Sequence, residues 1–198
     1  DSDQNQLLGD LFEGFLNKGV KQSEGQFFTP MPIVRFLVSS LPLEKIIQNS
    51  EEIPSAIDYA CGAGHFLTEY AVQIKDYVEK YRPSIPLNEY YAHITGIEKE
   101  YRLSKVSKVS AFMYGHDETQ IIYSDALVPT ENVREGSYDV LIANPPYSVK
   151  GFLETLTENQ RKHYSLFNDG LNIAKNNAIE IFFIERAAQL LKAGGVAG

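Results

Sequence analysis

Cysteine is nearly missing: Cys61 is alone among 198 residues. That excludes an internal disulfide, and one thiol cannot build a cysteine-based zinc site. A reducing, cytoplasmic setting is expected. No run approaches the roughly 18 apolar residues of a membrane span, so no membrane association is expected. The opening DSDQNQLLGD has neither the basic nor the apolar region of a signal peptide. Internal repeats and low-complexity tracts are absent. Positive charge is also short: 18 Lys and Arg against 26 Asp and Glu leave a formal net charge of −8. Such a chain is poorly suited to grip nucleic acid unaided, because that affinity comes mostly from Lys and Arg on phosphates. What remains is a globular balance, 43% hydrophobic and 22% charged, which suffices for one buried core.

Periodicity divides the chain into a helical lead-in, 1–50, and an α/β domain, 51–198. Leu7, Leu8, Leu11, Phe12, Phe15 and Leu16 predict a helix over 5–18. Pro30 and Pro32 open a second, over 33–41. Strands are predicted at 56–60, 93–99, 120–127 and 138–146, with helices at 65–81 and 101–115 between them. The stretch 148–178 has no clear period, which in a compact domain marks a functional or mobile loop. A strong helix is predicted at 177–195, stopped by Gly194 and Gly195. The final VAG reads as the start of another strand, so the sheet is expected to be truncated at the C-terminus. The pattern predicts an α/β fold with a mostly parallel sheet and helices on both faces.

Four motifs carry chemistry. DYACGAG, 58–64, turns from the first strand into a helix, where open α/β sheets bind nucleotide-like ligands. Gly62 and Gly64 permit positive φ and close backbone approach. Leu67 replaces the third glycine of a dinucleotide fingerprint, and no Gly-Lys-Ser/Thr follows for a triphosphate. The shorter form suits a ligand without a pyrophosphate, and Asp58 could meet a cationic end of it. Glu98 closes the second strand, where a carboxylate can accept both hydroxyls of a ribose. Asp125 closes the third, where it can accept from an exocyclic amine while the Ala126 N–H serves a ring nitrogen. Asn144-Pro145-Pro146-Tyr147 follows the fourth strand. Two prolines end the ladder and stiffen the corner. Asn144 then offers a side-chain carbonyl, Pro145 a backbone carbonyl and Tyr147 a stacking face. Such a set suits methyl transfer to a planar amino nitrogen, whose hydrogens two acceptors can hold while the lone pair faces the methyl. His93, His116 and His163 lack metal-ligand spacing, so no metal is expected. Lys99, Arg102, Lys105 and Lys108 read as a solvated helix face.

GQFFTP at 25–30, DYACGAG, GIEK, SDAL and NPPY occur in the order seen in N6-adenine DNA methyltransferases. The chain most resembles the modification subunit of type I restriction–modification systems. The resemblance implies a Rossmann-like sheet that binds S-adenosylmethionine. It places Phe28, Thr29 and Pro30 beside that cofactor, with Asp58, Ala60, Gly62 and Gly64 lining it. Glu98 would take its ribose, and Asp125 with Ala126 its adenine. Asn144, Pro145, Pro146 and Tyr147 would hold the target amine. In duplex DNA that base must be flipped out, and residues of 148–178, among them Lys150, Phe152, Arg161, Lys162 and His163, are candidates to contact it or its phosphates. The acidic balance then implies that a specificity subunit or fused target-recognition domain does most of the DNA reading, with a restriction subunit as a further partner. NPPY also occurs in enzymes that methylate protein glutamine or RNA, and a non-catalytic cofactor-binding assembly module stays open.

Overall fold

A computed structural model of the chain describes residues 29–147, 149, 151–169 and 178–198. The helix expected at 5–18 lies outside them. Five strands, β1 Ala56–Asp58, β2 Ile94–Glu98, β3 Gln120–Tyr123, β4 Tyr138–Leu141 and β5 Leu191–Ala197, form one sheet ordered β3-β2-β1-β4-β5. Every pairing is parallel. The helices are α1 Met31–Ser40, α2 Leu43–Asn49, α3 His65–Tyr81, α4 Leu87–Tyr91, α5 Tyr101–Met113, α6 Glu158–Arg161 and α7 Ile179–Leu190.

Successive strand residues point to opposite faces, and each face carries its own core. Ala56, Ile94, Val140 and Ile142 pack with Val34 and Val38 of α1, Leu43 and Ile47 of α2, and Leu67, Tyr70 and Ile74 of α3. Ile57, Ile97 and Leu141 pack on the other face with Phe182, Phe183 and Leu190 of α7, and with Leu153, Leu156 and Tyr164. The α/β architecture with helices on both faces is therefore as the sequence predicts. α3 has the predicted bounds because Phe66, Leu67, Tyr70, Ala71, Ile74 and Val78 make one apolar stripe. His116, after α5, is buried and bonded to the Thr119 and Thr68 hydroxyls, each at 3.0 Å. Burial pushes its imidazole down to about 4. Among the described residues no helix is long and apolar enough to cross a membrane.

Three expectations change. The last helix stops at Leu190 rather than 195, and Leu191 enters β5 at once. Tyr138 pairs with Leu191 but Val140 with Val196. The glycine pair thus bulges a strand and does not stop a helix. The described part of 148–178 is not structureless. It holds 3₁₀ turns at Phe152–Thr155 and Ser165–Asp169, with α6 between them. α6 opens with a capping box, Thr157 to Gln160, a signal readable in TENQ. Finally, Phe152 is not available to an extruded base. It is 5% exposed and packed edge-on to Phe182 with ring centroids 5.4 Å apart.

Candidate active site

The strand order reverses between β1 and β4, neighbours that lead to opposite edges of the sheet. Their carboxyl ends therefore border the crevice in which ligands of open α/β sheets bind. The glycine turn leaves β1 on one side, and the proline corner leaves β4 on the other. Cys61 N–H donates to the Ile97 carbonyl at 3.0 Å, and Gly64 N–H to that of Cys61 at 2.7 Å. Gly62 and Gly64 stand at φ +53° and +89°, where a side chain is strained. Among the described residues a Cβ at Gly62 would meet nothing within 4 Å, whereas one at Gly64 would lie 2.7 Å from Ser107 Oγ. Gly64→Ala should accordingly lower the melting temperature by about 3–8 °C. Gly62→Ala, strained but not crowded, should cost less; differential scanning calorimetry of both variants checks the order.

Three acids follow the strands on this side, Asp58 and Glu98 as the last residues of β1 and β2 and Asp125 two residues past the end of β3. Asp58 is 1% exposed. Its Oδ1 accepts from Ala60 N–H at 2.9 Å, while Oδ2 is buried with no hydrogen-bond partner among the described residues. Burial, with the Glu98 charge adding to it, pushes its carboxyl up to about 8 against the pull of the Ala60 bond. Glu98 accepts from Gly62 N–H at 2.9 Å and Glu100 N–H at 2.7 Å, which ties β2 to the glycine turn. Burial also raises its carboxyl. Asp125 accepts from Leu127 N–H at Oδ1, 3.0 Å, and from Lys99 Nζ at Oδ2, 2.6 Å. Lys99, its side chain 66% exposed, is thus both solvated and an ion-pair partner of Asp125.

The β4 ladder runs slightly past Leu141. Ile142 N–H donates to the Ile57 carbonyl at 3.0 Å and Ala143 N–H to that of Gly198 at 3.2 Å. Asn144 then emerges exposed, with Pro145 and Pro146 half-buried and Tyr147 60% exposed. Asn144 Nδ2 donates to Thr29 Oγ1 at 3.1 Å. That bond commits the nitrogen side of the amide and leaves the side-chain oxygen as the acceptor. With the Pro145 carbonyl it can take both hydrogens of a planar amine. Thr29 and Pro30 stand beside this corner, at the entry to α1. Phe28 and Lys150 lie outside the described residues.

Of the basic residues expected on nucleic acid, two have partners within the chain. Arg161 donates to the Leu153 carbonyl at 2.9 Å, and His163 Nε2 lies 2.6 Å from Glu135 Oε1. Lys162 is exposed. Two residues near Asp125 escaped the sequence reading, Tyr164 and Arg186. Arg186 had a readable signal: it sits on the buried α7 stripe with Phe182, Phe183 and Leu190, where a charge needs a reason.

The parallel order, the glycine turn and the acid-bearing strand ends define a class I S-adenosylmethionine-dependent methyltransferase fold. A Listeria monocytogenes protein assigned to that class superposes with a TM-score of 0.66 at 22% identity, over 98% of this chain and 53% of that one. The methyltransferase subunit of a Streptococcus thermophilus type I restriction-modification system gives 0.62 at 17%, over 98% and 38%. The chain belongs to the N-6 DNA methylase family, which it matches over residues 3–198. It is 31% identical over 170 residues to the methylase subunit of the type I restriction enzyme MjaVII of Methanocaldococcus jannaschii, covering 82% of this chain and 26% of that subunit. It is 30% identical over 143 residues to the type II methyltransferase M.VspI of a Vibrio species, covering 72% and 30%. The chain thus spans under a third of either relative.

Proposed function

We propose that this chain is the cofactor-binding and catalytic part of a site-specific DNA methyltransferase that transfers a methyl group from S-adenosylmethionine to N6 of adenine within a restriction–modification system. The observation that carries the reading is the pairing of Asn144, its amide turned by Thr29, with the glycine turn across the switch point. Family membership favours a DNA adenine over a protein glutamine or an RNA base.

The residues present fit the cofactor. Among the described residues the buried Asp58 Oδ2 has no hydrogen-bond partner, Glu98 retains acceptor capacity for ribose hydroxyls, and a Cβ at Gly62 would meet nothing within 4 Å. Bound there, S-adenosylmethionine supplies an electrophilic methyl carried on a sulfonium. Asn144 Oδ1 and the Pro145 carbonyl would accept the two N–H hydrogens of the target. Those acceptors draw the nitrogen towards tetrahedral geometry, aim its lone pair and stabilise the positive charge that grows on it. Pro145 and Pro146 hold the acceptors rigid, so much of the rate comes from orientation. Tyr147 would receive the face of an extruded base. The proton can leave late, to water, so no general base is required. The −8 charge supports a reading in which a specificity subunit or fused recognition domain makes most phosphate contacts.

Thr29→Val removes the acceptor that sets the Asn144 amide. It should lower the turnover rate about tenfold at saturating cofactor, the worth of one hydrogen bond, and Thr29→Ser should restore it; steady-state methylation assays read both. The function itself is tested by mapping adenine methylation in cells with and without the intact gene. Loss of N6-methyladenine at one recurrent sequence is the expected result, and an unchanged map rejects the assignment.

A further inference from the structure

The loop that follows β3 is held from behind by two side chains that the chemistry above does not use. Tyr164 Oη donates to the Leu127 carbonyl at 2.6 Å, and Arg186 Nε to the Ala126 carbonyl at 2.9 Å. Both are 1% exposed. Leu127 in turn donates its own N–H to Asp125 Oδ1 at 3.0 Å, and Val128 N–H closes the turn on the Asp125 carbonyl at 3.0 Å. A continuous chain therefore runs from the Tyr164 hydroxyl to Leu127 and on to the Asp125 carboxylate. A backbone segment bonded on both sides of one residue has little freedom to turn. Oδ1 is thereby committed inward and Oδ2 outward, where Lys99 Nζ meets it.

Arg186 is itself locked. Its Nη1 donates to the Glu135 carboxylate and, at 2.9 Å, to Gln189 Oε1. Packing alone does not call for this pair: a buried ion pair is commonly replaceable by apolar side chains of similar volume at no loss of stability. What an apolar side chain cannot do is hold the Ala126 carbonyl.

We propose that Tyr164 and Arg186 are positioning residues for a purine-amine subsite: together they orient the Asp125–Ala126 edge and so set selectivity for a nucleoside with an exocyclic amine. The inference rests on the reading of Asp125 as the acceptor for the cofactor's adenine. It also gives the segment after the proline corner a task other than the DNA contact expected of it. Through Tyr164 that segment braces the loop for the cofactor base, so the arm for the target amine and one brace of the cofactor pocket follow β4 on the same stretch of chain.

Titration calorimetry of the intact protein with S-adenosylhomocysteine and with S-inosylhomocysteine, in which oxygen replaces the amine, reads this selectivity directly. The wild type should prefer the amine-bearing ligand by about tenfold to a hundredfold, the range for a hydrogen bond to a charged group. Asp125→Asn should reduce that preference. Tyr164→Phe keeps the ring and should also cut the preference about tenfold, with the loss confined to the amine-bearing ligand. Arg186→Lys, which retains the charge beside Glu135 but not the Nε geometry, should act in the same direction. If wild type shows no preference, the reading of Asp125 fails and the proposal falls with it. If Asp125→Asn loses selectivity while Tyr164→Phe and Arg186→Lys keep it, or weaken both ligands equally, the brace alone is overturned.

Discussion

Asn144→Ala should slow methyl transfer in a single turnover by two to three orders of magnitude, on the order of what removal of one preorganised polar group costs an enzyme whose transition state it stabilises. Cofactor affinity should stay within about twofold. The split follows from where the residue stands. Asn144 is exposed on an arm beyond the β4 ladder, and its amide contacts Thr29 across the crevice mouth rather than any of the three acids. Truncation therefore leaves both cores and the glycine turn untouched while deleting one of the two acceptors proposed for the target N–H groups. An interaction made only in the transition state appears in the rate and not in ligand binding. Rapid-quench kinetics for the rate and calorimetry for affinity, on the same preparation, separate the two. A parallel fall in both would mean that Asn144 shapes the cofactor pocket instead.

Asp58→Asn should weaken cofactor binding by at least about tenfold and abolish a proton release that accompanies it in the wild type. In the free protein the carboxyl, pushed up to about 8 by burial, holds its proton at pH 7. A cationic ligand beside Oδ2 favours the ionised form, so binding near neutrality should expel close to one proton. Calorimetry in two buffers of different ionisation enthalpy measures that number; a value near zero in the wild type contradicts the account. The same group has a stability signature. Between its unfolded value of 3.8 and about 8 the folded chain binds more protons than the unfolded one, so stability falls as pH rises through that window. Glu98, also raised by burial, acts with the same sign. His116 opposes them: lowered to about 4 from 6.5, it is neutral when folded and charged when unfolded, so its contribution rises with pH over that interval. Between pH 4 and 6.5 the slopes of Asp58 and His116 should largely cancel, leaving that of Glu98. Between 6.5 and 8 Asp58 acts without His116, and free-protein stability should fall by on the order of 1 kcal/mol per pH unit. Asp58→Asn should flatten that limb.

Much of this was legible in the sequence because it is local. α3 could be bounded from its own stripe, and the proline pair announces where β4 must end. The acids at 58, 98 and 125 fall at or just past strand ends by simple alternation of elements. What was not legible depends on partners far along the chain. KAGG continues the composition of a helix end, and only pairing with β4 turns it into strand. Phe152 looked available because no periodicity surrounds it, yet it fills a gap beside Phe182 on an element it meets only in three dimensions. The Thr29–Asn144 bond and the Tyr164 brace join residues 115 and 37 positions apart, beyond the reach of any local pattern.

The most direct test is a transfer experiment with the intact protein, supplied with the recognition subunit or domain proposed above, and cofactor labelled in the methyl group. DNA is recovered, digested to nucleosides and resolved by mass spectrometry. The account predicts label on N6-methyldeoxyadenosine, reduced by two or more orders of magnitude in Asn144→Ala at equal cofactor occupancy. Label on another nucleoside, or an undiminished adenine signal in the variant, would contradict it.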